Sequence, residues 1–558
     1  MPKALPIGAM DFRSAVRRTD EAYVDKSAFI GRVLADHAAA IVICRPRRFG
    51  KTLNITMLRE FLEKPIPHDI VPPRDPFAGM VVLRDPVALS ERNQHPVLYL
   101  SLKGAKARTW ADCLRQIAAE LASAWLRQNA DLGLLPAQLQ AKVAAIASEV
   151  AAEPDCAAAI RTLTTALQRL HGRAAWLMID EYDAPLQTAW EYGFYPEAVA
   201  FFRGFFGQGI KDNPAVAKTI MTGILRVAKE GIFSDLNNVV VDTVLSNRFA
   251  GDFGFTEAEV TELAGDDPPF LAELRHWYNG YQLGDFAMYN PWSVANALSH
   301  DKPTMEAHWV ASGGTGLLER LLTHAPPEVA RKLERLLLGE AVECVVVDGV
   351  AMPAIERHPE MLFTMLLHAG YLTAIAVRRI EDETLAKLRV PNHEVRTALR
   401  GLYRSWLNER GHGVEQVQKL IAGLLAGDAV VVQEMMAALV LGIMSYHDLA
   451  DRTPERVYHA FVLGMLTQMP AGYQIASNRE YGDGRPDVVM VPADGARPAV
   501  LLEFKKAAVK EVVASAALRA EAQIVARNYA AAVAGTPVRA WAIGFDRRNV
   551  LVGLVGDG

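Results

Sequence analysis

The sequence predicts an α/β protein: a parallel sheet towards the N-terminus, a helical middle domain and a small C-terminal α/β domain. Three observations lead to this fold class. Short apolar runs alternate with helical spacing over residues 38–223, helical spacing dominates residues 255–450, and strand-like runs return after residue 471. Apolar strands that alternate with helices are typical of βαβ units around a parallel sheet.

In the N-terminal part, four apolar runs predict buried strands at residues 38–44, 97–102, 176–179 and 219–223. Between them, the spacing of Leu and Ala predicts helices over residues 53–62, 109–128 and 136–170. In the C-terminal part, we expect strands at 487–491, 499–504 and 538–544 and a helix at 511–533. The changes of pattern divide the chain into domains at residues 1–255, 256–452 and 453–558.

Composition excludes several classes of protein. The chain has 558 residues, a net charge of −5 and 51% hydrophobic residues, which excludes global disorder and a globally basic nucleic-acid coat. The 4 cysteines form no CxxC pair, and no secretory signal or run long enough to span a membrane is visible. We therefore expect a cytoplasmic protein that has no membrane partner.

A phosphate-binding loop is predicted at residues 45–52, Arg-Pro-Arg-Arg-Phe-Gly-Lys-Thr, between a buried strand and a helix. Its end matches the GxxxxGK[ST] pattern, in which the lysine reaches the β- and γ-phosphates of ATP and the hydroxyl holds Mg²⁺. Arg45 stands where the pattern has its first glycine, so a chance match in a basic loop is the alternative. The candidate nucleotide-binding residues of the loop are Arg48, Phe49, Gly50, Lys51, Thr52 and Leu53.

A second motif follows the third apolar run, where Asp180 and Glu181 end a buried strand. In this arrangement Asp180 serves the Mg²⁺ ion and Glu181 polarises a water molecule. Thr222, at the end of the fourth strand, is a candidate sensor of the γ-phosphate. Arg226 is either an arginine finger or an ordinary surface charge. The two motifs together favour nucleotide binding.

A separate cluster of acids and a lysine lies in the C-terminal domain. Glu503 and Lys505 occupy positions i and i+2 of a strand and share one face, while Phe504 is expected to point into the core. Asp487 opens the preceding strand and would meet them across a hairpin. Asp487 and Glu503 are candidate Mg²⁺ or Mn²⁺ ligands, and Glu480 upstream is a third candidate acid. Gln523 on the next helix is a candidate phosphate or water contact. The alternative is a solvated charge pair on a strand.

Several segments resemble one family, the AAA-ATPase-like proteins that carry a C-terminal PD-(D/E)xK nuclease-superfamily domain. The matching segments are RPRRFGKT at 45–52, YVDK at 23–26, DEYD at 180–183, TGILRVAKE at 222–230, YNGY at 278–281 and GRPD at 484–487. The resemblance implies an AAA-like P-loop sheet and a restriction-endonuclease-like C-terminal domain. It also implies that arginine is normal at position 45, and it assigns Asp487, Glu503, Lys505 and Gln523 to the nuclease motif.

We therefore expect an ATP-binding and ATP-hydrolysing enzyme with a metal-dependent nuclease domain. Nucleotide would gate the cleavage of DNA or RNA phosphodiesters, and the resemblance implies a role in prokaryotic defence or mobile-element biology. Homo-oligomer formation is left open. A different class of function stays open: a signalling or scaffold ATPase whose nuclease-like domain only binds nucleic acid or a partner. A chaperone-like motor that does not use nucleic acid is a third hypothesis.

Overall fold

In the computed structural model of the protein, the described residues form two compact units. The first comprises residues 1–312 and 343–395, and the second comprises residues 313–342 and 396–558. The expected division into three domains near residues 255 and 452 stays a prediction. The structure describes residues 5–9, 11–17, 22–66, 74–226, 232, 238–299, 305–309, 327–347, 349, 352–355, 358–409, 414–444, 473–477, 486–508, 511–527, 536–546 and 549–556.

A five-stranded parallel sheet lies at the centre of the first unit. Its strands are β1 (Ala40–Cys44), β2 (Val97–Ser101), β3 (Ala175–Asp180), β4 (Val216–Gly223) and β5 (Val239–Asp242), in the spatial order β2-β3-β4-β1-β5. β1 and β3 are buried along their whole length, as expected where helices cover both faces of a parallel sheet. The predicted parallel sheet is confirmed. The sequence analysis did not predict β5, whose apolar run is only three valines long.

Helices cover both faces of this sheet. They are α1 (Phe12–Val16), α2 (Ala28–Ala35), α3 (Lys51–Leu62), α4 (Pro86–Glu91), α5 (Trp110–Leu126), α6 (Ala137–Ala147), α7 (Glu153–Ala157), α8 (Ala159–His171), α9 (Ala184–Tyr192) and α10 (Tyr195–Ile210). α3 packs against β2, β3 and β4, while residues of α5, α8 and α10 join the core on the other face. Because both faces are covered, the carboxyl ends of the strands are left to form the site.

Residues 136–170 form three helices, α6, α7 and α8, although the sequence pattern predicts one. Glu149 has a φ of +60°, in the left-handed region that a helix cannot include. Pro154 then lies in the first turn of α7, where its missing N–H group is tolerated. The apolar spacing resumes after each break, so spacing alone cannot reveal the breaks.

Beyond residue 250 the described chain is mainly helical, as predicted. The helices are α11 (Glu257–Ala264), α12 (Pro268–Tyr278), α13 (Pro291–Leu298), α14 (Pro327–Leu337), α15 (Pro359–Ala369), α16 (His393–Glu409), α17 (Val414–Ala426) and α18 (Ala429–Met444). Unexpected strands also lie here: β6 (Tyr281–Leu283) pairs with β7 (Phe286–Met288), and β8 (Val342–Val346), β9 (Thr373–Ile380) and β10 (Glu383–Arg389) form a sheet in the order β8-β10-β9. The sequence pattern does not predict β9, although residues 374–377 are all apolar, because this short run lies within a region where helical spacing dominates; six of the eight residues of β9 are exposed.

The second unit contains a small mixed sheet, which confirms the predicted C-terminal α/β fold. Its strands are β11 (Tyr473–Ser477), β12 (Val488–Pro492), β13 (Ala499–Lys506), β14 (Val538–Phe545) and β15 (Val550–Val555), paired in chain order. β13 and β14 are parallel, and the other pairs are antiparallel. Helix α19 (Val513–Ala526) connects β13 to β14 and contributes Ala520 and Ile524 to the core of the sheet.

The four cysteines are buried free thiols, as their spacing predicts. Burial raises the pKa of the Cys44 thiol to about 12, so this cysteine stays protonated at neutral pH. Among the residues that the structure describes, no helix has both the length and the apolar character that crossing a bilayer requires.

Candidate functional site

The predicted phosphate loop connects β1 to α3 and has the backbone shape of an anion cradle. Gly50 precedes the first residue of α3 and has a φ of +80°, while Arg48 has a φ of +65°. Two left-handed residues so close together reverse the chain sharply at the start of the helix. The first-turn N–H groups of α3 have no partner within the helix and can bind phosphate oxygens.

Lys51 is held inside the loop. Its side chain is buried, and its Nζ donates hydrogen bonds to the carbonyl oxygens of Arg45 (3.0 Å) and Pro46 (2.9 Å). Burial lowers the pKa of the Lys51 ammonium, while the carboxylates of Glu181 and Asp180 act in the opposite direction. A cation that has exchanged water for two carbonyl groups is well placed to bind a phosphate anion.

Asp180 is the meeting point of three segments. Its carboxylate accepts a hydrogen bond from Thr52 Oγ1 of α3 at 2.6 Å and a second one from Thr222 Oγ1 of β4. Asp180 lies at the end of β3 and is 1% exposed, so burial raises the pKa of its carboxyl. The structure thus brings together the loop helix, the acidic strand end and the candidate sensor.

Glu181 follows at the same edge of the sheet. It has a φ of +52°, a conformation that non-glycine residues adopt rarely, and its backbone N–H donates to Asp180 Oδ1 at 3.1 Å. Asp183 then anchors the segment after β4, because its Oδ2 accepts from the backbone N–H groups of Ile224 (3.1 Å) and Leu225 (2.9 Å). These bonds fix the chain just before Arg226.

Arg45, the departure from the usual loop pattern, has a structural explanation. Its side chain is fully buried and its Nη2 lies 2.6 Å from Oδ2 of Asp242 at the end of β5. It also donates to the carbonyl oxygens of Cys44 (2.9 Å) and Thr243 (2.8 Å). Arginine at this position therefore ties the loop to β5, which a glycine could not do.

The remaining loop residues contact protein groups. The guanidinium of Arg48 lies 3.8 Å from the ring centroid of Trp292, and the ring of Phe49 packs edge-on against Tyr281 at 5.0 Å. Leu53 lies in the first turn of α3 and is half-buried. Arg226 lies just beyond β4 and is also half-buried. Whether these residues contact nucleotide stays a prediction.

His368 is a buried residue of this region that the sequence analysis did not single out. It lies near the end of α15, and its Nδ1 has no hydrogen-bond partner among the described residues. Burial, together with the positive charges of Arg226 and Arg45, lowers the pKa of His368 to about 4. The imidazole is therefore neutral at physiological pH. A single histidine within a helix carries no sequence signal, so only the fold could reveal it.

The second candidate site lies on the β12–β13 hairpin. Asp487 immediately precedes β12, and its Oδ2 accepts a hydrogen bond from the backbone N–H of Phe504 at 2.8 Å. Lys505 Nζ lies 2.7 Å from Glu503 Oε1. The structure thus brings Asp487, Glu503 and Lys505 together, as their positions in the sequence predict.

Glu503 is the buried member of this cluster. Glu503 is 1% exposed and faces the same side of β13 as the core residue Leu501. Phe504, which the sequence predicts to point into the core, is only half-buried, so the expected difference in burial between Glu503 and Phe504 is reversed. Burial, together with the nearby charge of Asp487, raises the pKa of Glu503 to about 7. Within the described part of the chain, Glu503 Oε2 is a buried oxygen that has no hydrogen-bond partner.

The oxygens of Asp487 and Glu503 fit a divalent cation. A buried carboxylate oxygen without a partner is costly unless a cation or a proton satisfies it, and carboxylate oxygens are the ligands that Mg²⁺ prefers. Across the part of the chain that the structure describes, no three His, Cys, Asp or Glu side chains form a metal-binding group. Glu480, the third candidate acid, lies outside the described residues, as do Gly484 and Arg485.

Gln523 lies on α19, which packs across β13 and β14. The residue is half-buried. Its helix covers the same face of the sheet as Glu503, since Leu501 and Ala520 share one core. A role for Gln523 in contacting phosphate or water stays a prediction.

The order of the sheet and the contacts at its edge define the first unit as a P-loop nucleotide-binding fold. Family models match both parts of the chain, and the first match agrees with this class. Residues 6–233 match the AAA-ATPase-like family model, described as "Predicted AAA-ATPase", and residues 453–553 match the model of the PD-(D/E)XK nuclease superfamily. The chain therefore joins an AAA-ATPase-like domain to a domain of the PD-(D/E)XK nuclease superfamily.

One relative among curated proteins comes from Azotobacter chroococcum mcd 1 and bears the name "Uncharacterized protein in vnfD 5'region". It is 28% identical over 468 residues, which cover 82% of this chain and 81% of the relative. The similarity therefore extends well beyond either domain alone. The two domains imply, in general terms, the use of nucleotide and a divalent metal and an interaction with nucleic acid.

Proposed function

We propose that this protein is an ATPase that controls a metal-dependent nuclease within the same chain. ATP with Mg²⁺ binds and is hydrolysed at the loop of the first unit, and the C-terminal domain cleaves DNA or RNA. The observation that carries the proposal is that both sets of polar residues predicted from the sequence converge, at Asp180 and at Glu503. The pairing of the two domains supports a cytoplasmic role in prokaryotic defence or mobile-element biology.

At the nucleotide site, each residue has a distinct task. Lys51 leaves its carbonyl partners to bind the β- and γ-phosphates, and Thr52 and Asp180 supply oxygens to Mg²⁺. Glu181 orients the attacking water, and Thr222, bonded to Asp180, links the γ-phosphate to β4. Gly50, Phe49 and Leu53 shape the loop around the phosphates. Arg226, fixed just after the backbone that Asp183 anchors, supplies positive charge for the transition state.

At the nuclease site, Asp487 and Glu503 hold Mg²⁺ or Mn²⁺. The metal ion, when bound, polarises the phosphodiester and lowers the pKa of a bound water. The hydrogen bond from Phe504 N–H fixes the Asp487 carboxylate, and Lys505 balances the buried charge of Glu503 and faces the phosphate. Gln523 contacts the phosphate or the water from α19.

The nucleotide site is tested with Lys51→Ala. Titration with a fluorescent ATP analogue in the presence of Mg²⁺ should show binding to the wild type and no measurable binding to the variant. Lys142→Ala is the matched control, since Lys142 is an exposed lysine of α6. Equal affinity of Lys51→Ala and the wild type would refute the assignment of this loop.

The nuclease site is tested with Glu503→Gln, which keeps the size of the side chain but not its charge. Labelled DNA and RNA should be cleaved by the wild type in Mg²⁺ or Mn²⁺ and not by this variant, while its ATPase rate should be unchanged. Glu511→Gln, which removes a carboxylate paired with Arg519 in the same unit, should still cleave. Cleavage by Glu503→Gln at the wild-type rate would reject the assignment.

A second function is favoured by one observation, the direct ion pair of Lys505 with Glu503 at 2.7 Å. This pair occupies one carboxylate oxygen that a metal would need. If it persists in metal, the C-terminal domain binds nucleic acid or a partner without cutting, and the protein is a signalling ATPase. The same assay decides, because salt-dependent binding of nucleic acid without cleavage in any metal would support this function.

A further inference from the structure

The outer side of the nucleotide loop is covered by residues that follow the parallel sheet in the chain. Trp309 is buried, and its Nε1 donates to the carbonyl oxygen of Arg47 at 3.4 Å. Gly370 lies so close to Pro46 that a Cβ at position 370 would be 2.9 Å from the proline Cβ. Phe49 fits between Tyr281 and Gly254, where a Cβ would approach the phenyl ring to 3.1 Å. The loop is thus packed on protein at each successive residue.

Arg48 makes the most specific of these contacts. Its guanidinium carbon lies 3.8 Å from the centroid of the Trp292 ring, close enough for a strong cation–π interaction. Its Nη1 is buried and has no hydrogen-bond partner among the residues that the structure describes, so the indole face is a main stabilising neighbour for this charge. The contact directs the side chain onto Trp292 while the backbone of Arg48 keeps its left-handed φ of +65°.

A buried carboxylate completes the cluster. Glu394 is fully buried, and its two oxygens accept from Ser293 Oγ at 2.9 and 2.8 Å. Its Oε1 also accepts from the backbone N–H of Trp309 at 2.8 Å. Through these hydrogen bonds, Glu394 links α13, which carries Trp292, to Trp309. The indole N–H of Trp309 in turn donates to the carbonyl oxygen of Arg47. Its charge also acts on Arg48, since burial lowers the pKa of that guanidinium and Glu394 opposes the change.

We propose that Arg48 is a positioning residue, which holds the nucleotide loop in its anion-binding shape by stacking on Trp292. The inference rests on the proposed nucleotide binding and extends it, because it makes ATP affinity depend on residues of α13 that touch no phosphate. Without the stacking contact, the side chain of Arg48 no longer holds the left-handed turn in place. The N–H groups of the loop must then be ordered when the nucleotide binds, and this ordering costs binding free energy. ATP affinity should fall in variants of either residue, while Trp292→Ala, which changes no residue of the loop, should keep the rate of the wild type at saturating ATP.

The test measures the dissociation constant of ATP·Mg²⁺ and the kcat of ATP hydrolysis for the full chain. Trp292→Ala and Arg48→Met should each weaken ATP binding by roughly 5- to 30-fold, the range expected for losing a partly buried cation–π contact. Trp292→Phe, which keeps an aromatic face, should restore most of the affinity. The double variant should be no weaker than either single variant, since both remove one interaction.

Trp110→Ala is the matched control, because Trp110 is a half-buried indole of the same unit that packs on Phe194 and Phe201. Its ATP affinity should equal that of the wild type. Thermal unfolding of every variant separates lost folding from lost affinity, and Arg48→Met stands in if Trp292→Ala does not fold. Wild-type affinity in either single variant, or additive losses in the double variant, would overturn the proposal. A wild type that binds no ATP would instead refute the proposed function itself.

Discussion

At the scale of single residues, the buried ion pair of Arg45 with Asp242 supports the nucleotide loop. Both side chains are fully buried and lie 2.6 Å apart. A buried pair is expensive to form, but removal of one partner leaves a charge without compensation. The structure thereby explains why arginine stands at position 45, the first residue of the RPRRFGKT segment, independently of any contact with nucleotide.

Replacing Arg45 by alanine should lower the free energy of unfolding by about 3–5 kcal/mol, because Asp242 would be left buried and unpaired. Chemical denaturation at neutral pH measures the loss. The control is Arg115→Ala, which breaks the exposed Arg115–Asp112 pair and should change stability by at most about 1 kcal/mol. An Arg45→Ala protein as stable as the wild type would show that the ion pair does not support the loop.

The pKa of Glu503 predicts how the nuclease site responds to pH. Since burial raises this pKa to about 7, a metal ion must displace a proton below that pH. We expect the apparent affinity for Mn²⁺ to fall roughly tenfold between pH 8 and pH 6 and to level off above pH 8. Calorimetric titration at several pH values measures it, with Glu503→Gln as a control that should show weak binding without this dependence. Affinity that is constant from pH 6 to pH 8 would contradict the assignment.

The raised pKa of Glu503 also makes the free energy of unfolding depend on pH. The carboxyl of Glu503 is protonated in the folded protein at a pH where an ordinary glutamate, with a pKa of 4.5, is ionised. Its contribution to stability is therefore complete at low pH and is lost as the pH rises towards about 7. Without metal, Glu503→Gln should be more stable than the wild type at pH 8 and not at pH 4, as thermal unfolding at the two pH values would show. A gain that is equal at both pH values would contradict this account.

At this scale the sequence predicts much of the candidate sites but not their surroundings. Lys51, Thr52 and Asp180 could be recognised because phosphate and Mg²⁺ chemistry restricts both residue type and spacing. Glu394 and His368 could not, since each is an isolated polar residue within a helix, and burial gives it significance only in the folded chain. The pairing of Arg45 with Asp242 joins residues 197 positions apart, a separation that no local pattern reveals.

At the scale of elements, α8 and α10 meet at a glycine. A Cβ at Gly209 of α10 would lie 2.7 Å from the Cβ of Ile160 on α8, closer than the two helices allow. At Gly207 of the same helix, no atom of a neighbouring element lies within 4 Å of the position that a Cβ would take. The two glycines are two residues apart, but only Gly209 is required by the close packing of the helices.

Gly209→Ala should destabilise the protein by about 1–3 kcal/mol, because the added methyl group forces the helices apart. Gly207→Ala should instead stabilise it by up to about 1 kcal/mol, since alanine favours the helix over the unfolded chain. Denaturant unfolding of the two variants makes the comparison within one helix. Equal effects of the two substitutions would show that α8 and α10 are not in close contact at Gly209.

Burial decides which elements the sequence could predict. β1 and β3 are fully buried and therefore appear as uninterrupted apolar runs. β9 and β15 also contain apolar residues, but six of the eight residues of β9 and three of the six of β15 are exposed, and apolar content alone predicts neither strand. The breaks between α6, α7 and α8 escaped prediction because they depend on backbone conformation at Glu149, which apolar spacing does not record.

At the scale of the whole molecule, an AAA-ATPase-like domain and a nuclease-superfamily domain lie in one chain. The two domain families occur together here, and the Azotobacter relative is similar over 82% of this chain. The described residues of each candidate site belong to a single unit. Control of one by the other is therefore the claim that most needs a direct test.

That test is cleavage of labelled DNA and RNA by the wild type and by Lys51→Ala, each with and without ATP, at saturating Mg²⁺ or Mn²⁺. Any cleavage by the Glu503→Gln variant reports the amount of contaminating nuclease. The account predicts that ATP changes the cleavage rate of the wild type several-fold, in either direction, and that Lys51→Ala cleaves at one rate regardless of ATP. Wild-type cleavage that ignores ATP, or a response to ATP that survives in Lys51→Ala, would contradict nucleotide control of the nuclease.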